Sequence, residues 1–331
     1  MNRRQFAKTL GILPLAAKEL AGMSAPTLVT QAPNTPSIPI IDTHIHLFDK
    51  TRPEGAPYPR DVPGGGEPPQ GMIAVPGRYS AIVAPFGVVG AIVVEASPRL
   101  EDNQWILDQA ANASIIVGLV GRIDPADPAF AKNLERFRRN PLFLGIRQGQ
   151  LELGLNRPDY IANLKLLSDA DCSLDVDTPR QGMTATEVLV KVLDKVPTLR
   201  LVMDHLPDVR FSDSVARQTY MAHLKELGRR PQVYIKLSEV VHKFDDRVSP
   251  DLYRYKDWLD ELWSIFGEDR VMFGSDWPQS EGLEFNSYPN VIGVARAYVA
   301  TKGAAAMDKV FWKNSSKPYR WVQRGPGQQK A

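Results

Sequence analysis

The stretch Ile38-Pro39-Ile40-Ile41-Asp42-Thr43-His44-Ile45-His46 decides how this chain is to be read. Ile38–Thr43 is apolar, β-branched and short, which predicts a strand buried on both faces. Residues two apart in a strand face the same way, so Asp42, His44 and His46 are expected on one side, with Thr43 and Ile45 on the other. Two imidazoles leaving one strand end together can share a metal ion or grip a ligand. The chain holds only 5 histidines, and two of them stand here at strand spacing, which argues against an incidental polar loop.

Seven similar runs follow: Gly90–Glu95, Ile115–Gly121, Leu142–Arg147, Ser173–Asp177, Leu199–Asp204, Val233–Leu237 and Val271–Gly274. Their starts are continuously apolar, and polar residues gather at their C-terminal ends. Helical spacing appears between them, in Gln104–Ala113, Ala129–Arg139, Pro158–Asp169, Ala185–Lys195, Ser214–Leu227 and Tyr253–Phe266. Asp127-Pro128 and Ser249-Pro250 offer starts for two of these helices. Eight strand–helix units in this length predict a closed parallel (β/α)8 TIM barrel over residues 38–323. An open doubly wound sheet has no support from a G-x-G-x-x-G or P-loop motif.

Residues 49–89 break the rhythm with 8 prolines and 7 glycines. A loop of this composition after the first strand is expected to act as a lid over the barrel mouth, with one helix within Arg78–Phe86. Tyr58, Arg60 and Tyr79 could offer hydrogen bonds from it. Residues 1–32 place Arg3-Arg4, Phe6 and Lys8 ahead of a short apolar run, the layout of a twin-arginine export signal to the periplasm; a disordered tail is the alternative. The polar tail Arg324–Ala331 is expected to fray.

Composition excludes several roles. With 40 basic and 38 acidic residues the net charge is +2, which gives no electrostatic case for nucleic acid. No run approaches the roughly 20 apolar residues of a membrane span. Cys172 is the only cysteine, so a disulfide or a cysteine-rich zinc site within the chain is impossible, and a small buried residue is expected. A small-molecule substrate remains.

The last strand ends in Gly274-Ser275-Asp276-Trp277-Pro278. In a barrel, catalytic groups come from the C-terminal strand ends, so Asp276 should face His44 and His46 across the mouth. The same reasoning singles out Arg147, which could clamp a substrate carboxylate or hydroxyl, and His205, which could donate to a carbonyl oxygen. Lys236 lies inside an apolar run, where an ammonium is expensive unless paired. Internal salt bridges for Arg147 and Lys236 and a core position for His205 are the structural alternatives.

The set Asp42–His46, Ile92–Ser97, Gly118–Pro125, Leu144–Arg147, Leu201–Leu206, Val233–Ser238 and Gly274–Pro278 resembles, in order, the strands of the amidohydrolase-2 family. Asp204-His205-Leu206 and Gly274–Pro278 are most similar to its branch of sugar lactonases and 2-pyrone-4,6-dicarboxylate lactonases. The resemblance implies a hydrolase opening a small lactone, with Asp276 and His205 catalytic and Arg147, Lys236 and Trp277 binding substrate. It implies at most one divalent ion, zinc first among candidates, on His44, His46 and Asp276, with Glu95 or water as fourth ligand. The fifth strand lacks the histidine of many metal-binding members and the fourth lacks a bridging lysine, so activity without metal is allowed. A decarboxylase on the same barrel and a non-catalytic sugar-acid binding protein are the alternatives.

Overall fold

In the computed structural model eight parallel strands lie in chain order: β1 Ile40–Ile45, β2 Val88–Val94, β3 Ile116–Gly121, β4 Phe143–Gln148, β5 Ser173–Val176, β6 Arg200–Met203, β7 Val233–Leu237 and β8 Val271–Phe273. The structure describes residues 38–55, 73–149, 151–177, 184–207, 213–241, 243–244, 247–280 and 287–329. The first strand meets the last beyond β8. His46 N donates to Trp277 O at 2.7 Å, and Asp276 N donates to His44 O at 2.9 Å. These contacts complete the (β/α)8 barrel.

Helices alternate with the strands: α1 Pro76–Val83, α2 Asp102–Ala111, α3 Phe130–Arg138, α4 Pro158–Asp169, α5 Ala185–Lys195, α6 Ser214–Arg229, α7 Lys256–Phe266, α8 Tyr288–Ala300, α9 Ala304–Phe311 and α10 Ser316–Tyr319. Ser249-Pro250 does not start α7, because a 3-10 turn at Leu252–Arg254, capped by Asp251, comes first. Helices α8 to α10 escape the sequence reading; β-branched residues and Gly293 blur the signal of α8. Among the described residues no helix is long and apolar enough to cross a membrane. Cys172 is buried.

The apolar residues form two layers. Ile41, Ile92, Val94, Val117, Leu144, Val202 and Met272 fill the barrel, and Tyr319 and Trp321 close it from below. A larger layer, which includes Ile45, Val93, Leu174, Phe273 and Trp277, packs between strands and helices. Strict alternation fails in β1, whose register shifts between Asp42 and Ile45. The irregularity separates Asp42 from the histidines. Asp42 turns into the helix layer, where it accepts from Ser275 N at 2.8 Å, Tyr79 OH at 2.8 Å and Tyr288 OH at 3.3 Å.

Two expectations need correction. Tyr79 is fully buried beneath the rim, with its hydroxyl committed to Asp42, so it does not overhang the mouth. The tail does not fray as far as residue 329. Arg324 Nη1 donates to the carbonyls of Ala110, Ala113 and Ile116 at 2.6, 2.9 and 2.9 Å, and Gln328 Nε2 donates to Val89 O at 2.7 Å. The guanidinium thus adds hydrogen bonds to carbonyls between the end of α2 and the start of β3 and anchors the tail there. Phe48–Asp49 pairs antiparallel with Ile73–Ala74 at the base of the 49–89 segment. Its remaining expected lid residues, Tyr58 and Arg60, lie outside the described residues, as does the expected export segment 1–32.

Asp42 ties β1 to α1, α8 and the turn after β8 from a fully buried position. Replacing it with alanine strands two phenols and an amide. Asp42→Ala is therefore expected to lower unfolding stability by about 3 kcal/mol. Urea denaturation measures this, and a loss under about 1 kcal/mol would contradict the role.

Candidate active site

Above the apolar filling the barrel interior becomes charged. Lys236, from β7, has no exposed surface. Its Nζ donates to Asp175 Oδ2 of β5 at 2.9 Å and to Asp204 Oδ1, just past β6, at 2.8 Å. Arg147 of β4 reaches the same cluster, with Nε donating to Asp204 Oδ2 at 2.7 Å and Nη2 to Asp177 Oδ2 at 3.2 Å. Tyr319 OH donates to Asp175 Oδ2 from below. Burial pushes the Asp204 carboxyl upward, but the Lys236 and Arg147 charges overcome it and hold Asp204 well below the usual carboxylate range. Burial raises Asp175 despite Lys236. Lys236 and Arg147 are thus internal ion-pair partners, and the expected substrate clamp on Arg147 has two of its three nitrogens already engaged.

His44 sits on this network, with Nδ1 3.3 Å from Lys236 Nζ and 3.4 Å from Asp204 Oδ1. Burial, then the Lys236 charge, holds its pKa well below normal, so the ring is neutral near pH 7. Gly274 leaves room for it: a Cβ there would lie 2.8 Å from His44 Cβ. His46 pairs its Nδ1 with Val94 O at 2.6 Å, which leaves Nε2 a lone pair facing the mouth. Asp276 stands opposite with φ of 57°, the left-handed region that L side chains seldom adopt.

The three mouth atoms form a compact triangle. His44 Nε2 and His46 Nε2 are 3.3 Å apart, and Asp276 Oδ1 lies 3.6 Å from the first and 3.1 Å from the second. Ligands bound at about 2.0–2.1 Å in a tetrahedron stand roughly 3.3 Å from one another. The donor set therefore fits one divalent ion held by three protein ligands, with a fourth position open.

Other expected residues fall differently. His205 follows Asp204 at the mouth, its ring centroid 4.5 Å from that of His44 and its Nδ1 3.1 Å from Ser238 Oγ. Burial depresses its pKa well below normal. Glu95 is not the fourth ligand. Val94 beside it faces the interior, so Glu95 turns outward, and its Oε1 accepts from Ser97 N at 2.5 Å. It joins neither triad of ligand atoms lying within 4.8 Å of one another, namely His44–His46–Asp276 and His205–Glu239–Asp276. Glu239, just past β7 with φ of 53°, was not foreseen. Trp277 lies in the outer layer, fully buried, with its ring centroid 5.2 Å from that of Tyr79, rather than against a substrate. Asp175, Asp177 and Asp204 were missed as site-building groups, although the polar period of two in Ser173-Leu174-Asp175-Val176-Asp177 marks an interior face.

This geometry agrees with the comparisons to known proteins. The amidohydrolase family matches residues 41–321, and the chain belongs to that family. An L-fucono-1,5-lactonase of Burkholderia ambifaria is 27% identical over 248 residues, covering 72% of this chain and 80% of the relative. A zinc-bound amidohydrolase of Burkholderia multivorans superimposes with a TM-score of 0.70 at 23% identity, covering 86% of this chain and 99% of that one. A probable 2-pyrone-4,6-dicarboxylic acid hydrolase of Acinetobacter baumannii with bound citric acid gives 0.64 at 18% identity, covering 84% and 98%.

Glu95 supplies a pH test. Burial raises its carboxyl to about 8, and Oε2 is buried without a hydrogen-bond partner. The folded chain then holds a proton that the unfolded chain releases near pH 4.5. Stability from this group is full below that pH and is lost as pH rises toward 8, at up to about 1.4 kcal/mol per pH unit. Glu95→Gln should flatten the decline. Denaturation series from pH 5 to 8 check this, and parallel slopes in both proteins would refute it.

Proposed function

We propose that the protein hydrolyses a small cyclic ester, a sugar-acid or pyrone-type lactone. The observation that carries the reading is the buried Asp276 carboxylate, fixed 3.1 Å from His46 Nε2 on the rim where β1 meets β8. Family membership supports hydrolysis, and the relatives named as lactonases or lactone hydrolases favour this bond. Asp276 takes a proton from water as the water oxygen bonds to the lactone carbonyl carbon. His205, its ring anchored at Nδ1 by Ser238 Oγ, donates to the oxyanion that develops. The protonated Asp276 then returns its proton to the ring oxygen as the carbonyl–oxygen bond breaks. Asp276→Asn keeps the shape and removes the base, so turnover should fall about 10²–10⁴-fold. Assays on aldonolactones and aromatic-derived lactones read this out, and a variant within threefold of wild type would sink the role.

A divalent ion, zinc first, fits His44, His46 and Asp276, where it would supply positive charge to polarise a carbonyl. Metal analysis of the purified protein should find one ion per chain, reduced by His44→Ala. Two tightly held ions would contradict the single site. Full turnover in metal-free protein would assign the histidines to substrate binding instead.

A further inference from the structure

The turn that carries Asp276 is held by bonds of two kinds. Some join main chain to main chain and are open to almost any sequence. Gly274 N donates to Leu237 O at 3.3 Å, Asp276 N to His44 O at 2.9 Å, Ser280 N to Asp276 O at 3.2 Å and His46 N to Trp277 O at 2.7 Å. Others depend on particular side chains. Thr43 Oγ1 donates to Phe273 O at 2.8 Å, Asp42 Oδ1 accepts from Ser275 N at 2.8 Å, and Ser275 Oγ accepts from Trp277 N at 3.1 Å. The Ser275 hydroxyl also bonds to the Asp42 side chain. Both neighbours of Asp276 in sequence are therefore tied to one carboxylate, Ser275 directly and Trp277 through Ser275.

Asp42 divides its oxygens between two tasks. Oδ2 meets the helix layer, where it accepts from Tyr79 OH of α1 and Tyr288 OH of α8. Oδ1 meets the seam of the barrel, where it accepts from Ser275 N and, at 3.3 Å, from His44 N. One oxygen thus touches the main chain of a mouth histidine and of the residue before the mouth carboxylate, and it sets the spacing between them. Asp42 and Ser275 are both buried, so water does not compete for these bonds. The bonds act on a residue that needs them. Asp276 is left-handed with φ of 57°, a conformation that persists only where its surroundings enforce it. Freeing a flanking peptide lets that backbone relax, and the side chain turns with it. A misplacement of about 1 Å at a reacting group can cost on the order of 10²-fold in rate.

We propose that Asp42 and Ser275 are positioning residues for Asp276: through Oδ1 and Oγ they hold the peptides on either side of it and so aim its carboxylate at the mouth. The inference rests on the role of Asp276 in the lactonase reading. It gives Asp42 a part in turnover beyond the stability it adds.

Steady-state kinetics of the full-length protein test it, with each variant kept below its melting temperature. Ser275→Ala removes the acceptor for Trp277 N, so kcat should fall about 10- to 100-fold while KM stays within about threefold. Asp42→Ala should lose as much. Asp42→Asn keeps an oxygen for Ser275 N and should retain kcat to within about fivefold. Tyr79→Phe touches only Oδ2, so it should lower the melting temperature and leave kcat unchanged. A Ser275→Ala variant with kcat within about threefold of wild type overturns the proposal, and so does an Asp42→Asn variant no better than Asp42→Ala. Zinc affinity, measured by competition with a chelator, separates the proposal from the reading beneath it. A wild type that opens no lactone overturns the lactonase reading. Zinc binding that is about tenfold weaker in Ser275→Ala would then still uphold the positioning of Asp276, and equal binding would overturn it.

Discussion

The upper half of the barrel depends on keeping one ammonium where water does not reach. Burying an ion costs several kcal/mol unless its partners are close and well aimed. Lys236 meets that condition with Asp175 at 2.9 Å and Asp204 at 2.8 Å. Its two partners come from neighbouring strands, and Arg147 extends the chain of charges to β4. The ends of β4 to β7 are thereby cross-linked by side chains where their backbone ladders finish. The same ammonium and carboxylate flank His44 Nδ1, so the aim of Nε2 into the mouth is set from beneath.

This dependence explains why the fold was more legible than the site. Parallel strands covered on both faces must be apolar throughout, and each of the eight runs was visible for that reason. The same property hides phase. Nothing in Ile92-Val93-Val94-Glu95 says which apolar face lines the barrel, so the outward turn of Glu95 could not be read locally. Ser173–Asp177 does alternate, and its phase was available. Its carboxylates acquire meaning only with Lys236 and Arg147, which are 61 residues from Asp175 and 30 from Asp177. Asp42 fails for another reason. Period-two reasoning assumes a regular strand, and the shift after Asp42 breaks that assumption within the motif that marks the site.

Charge placement also separates residues that look equivalent in sequence. Arg122 and Arg147 both close barrel strands with a cation. Arg147 holds two interior aspartates, Asp177 and Asp204, whereas the Arg122 side chain makes no hydrogen bond or ion pair among the described residues. The sequence singled out only Arg147, and its carboxylate partners mark it as a structural arginine.

The seam of the barrel is the last constraint, and it joins closure to chemistry. Asp276 N donates to His44 O, and His46 N donates to Trp277 O, so the residues completing the sheet are also those presenting the mouth atoms. A left-handed backbone at a non-glycine residue costs on the order of 1 kcal/mol and persists only where surrounding contacts enforce it. At Asp276 the enforcing contacts are the main-chain bond to His44 and the buried packing of Trp277 behind it. Releasing the strain would require parting β1 from the chain beyond β8. The carboxylate is therefore held against the histidines by the stability of the closed sheet itself, and the geometry that the proposed proton transfer requires is set by the fold.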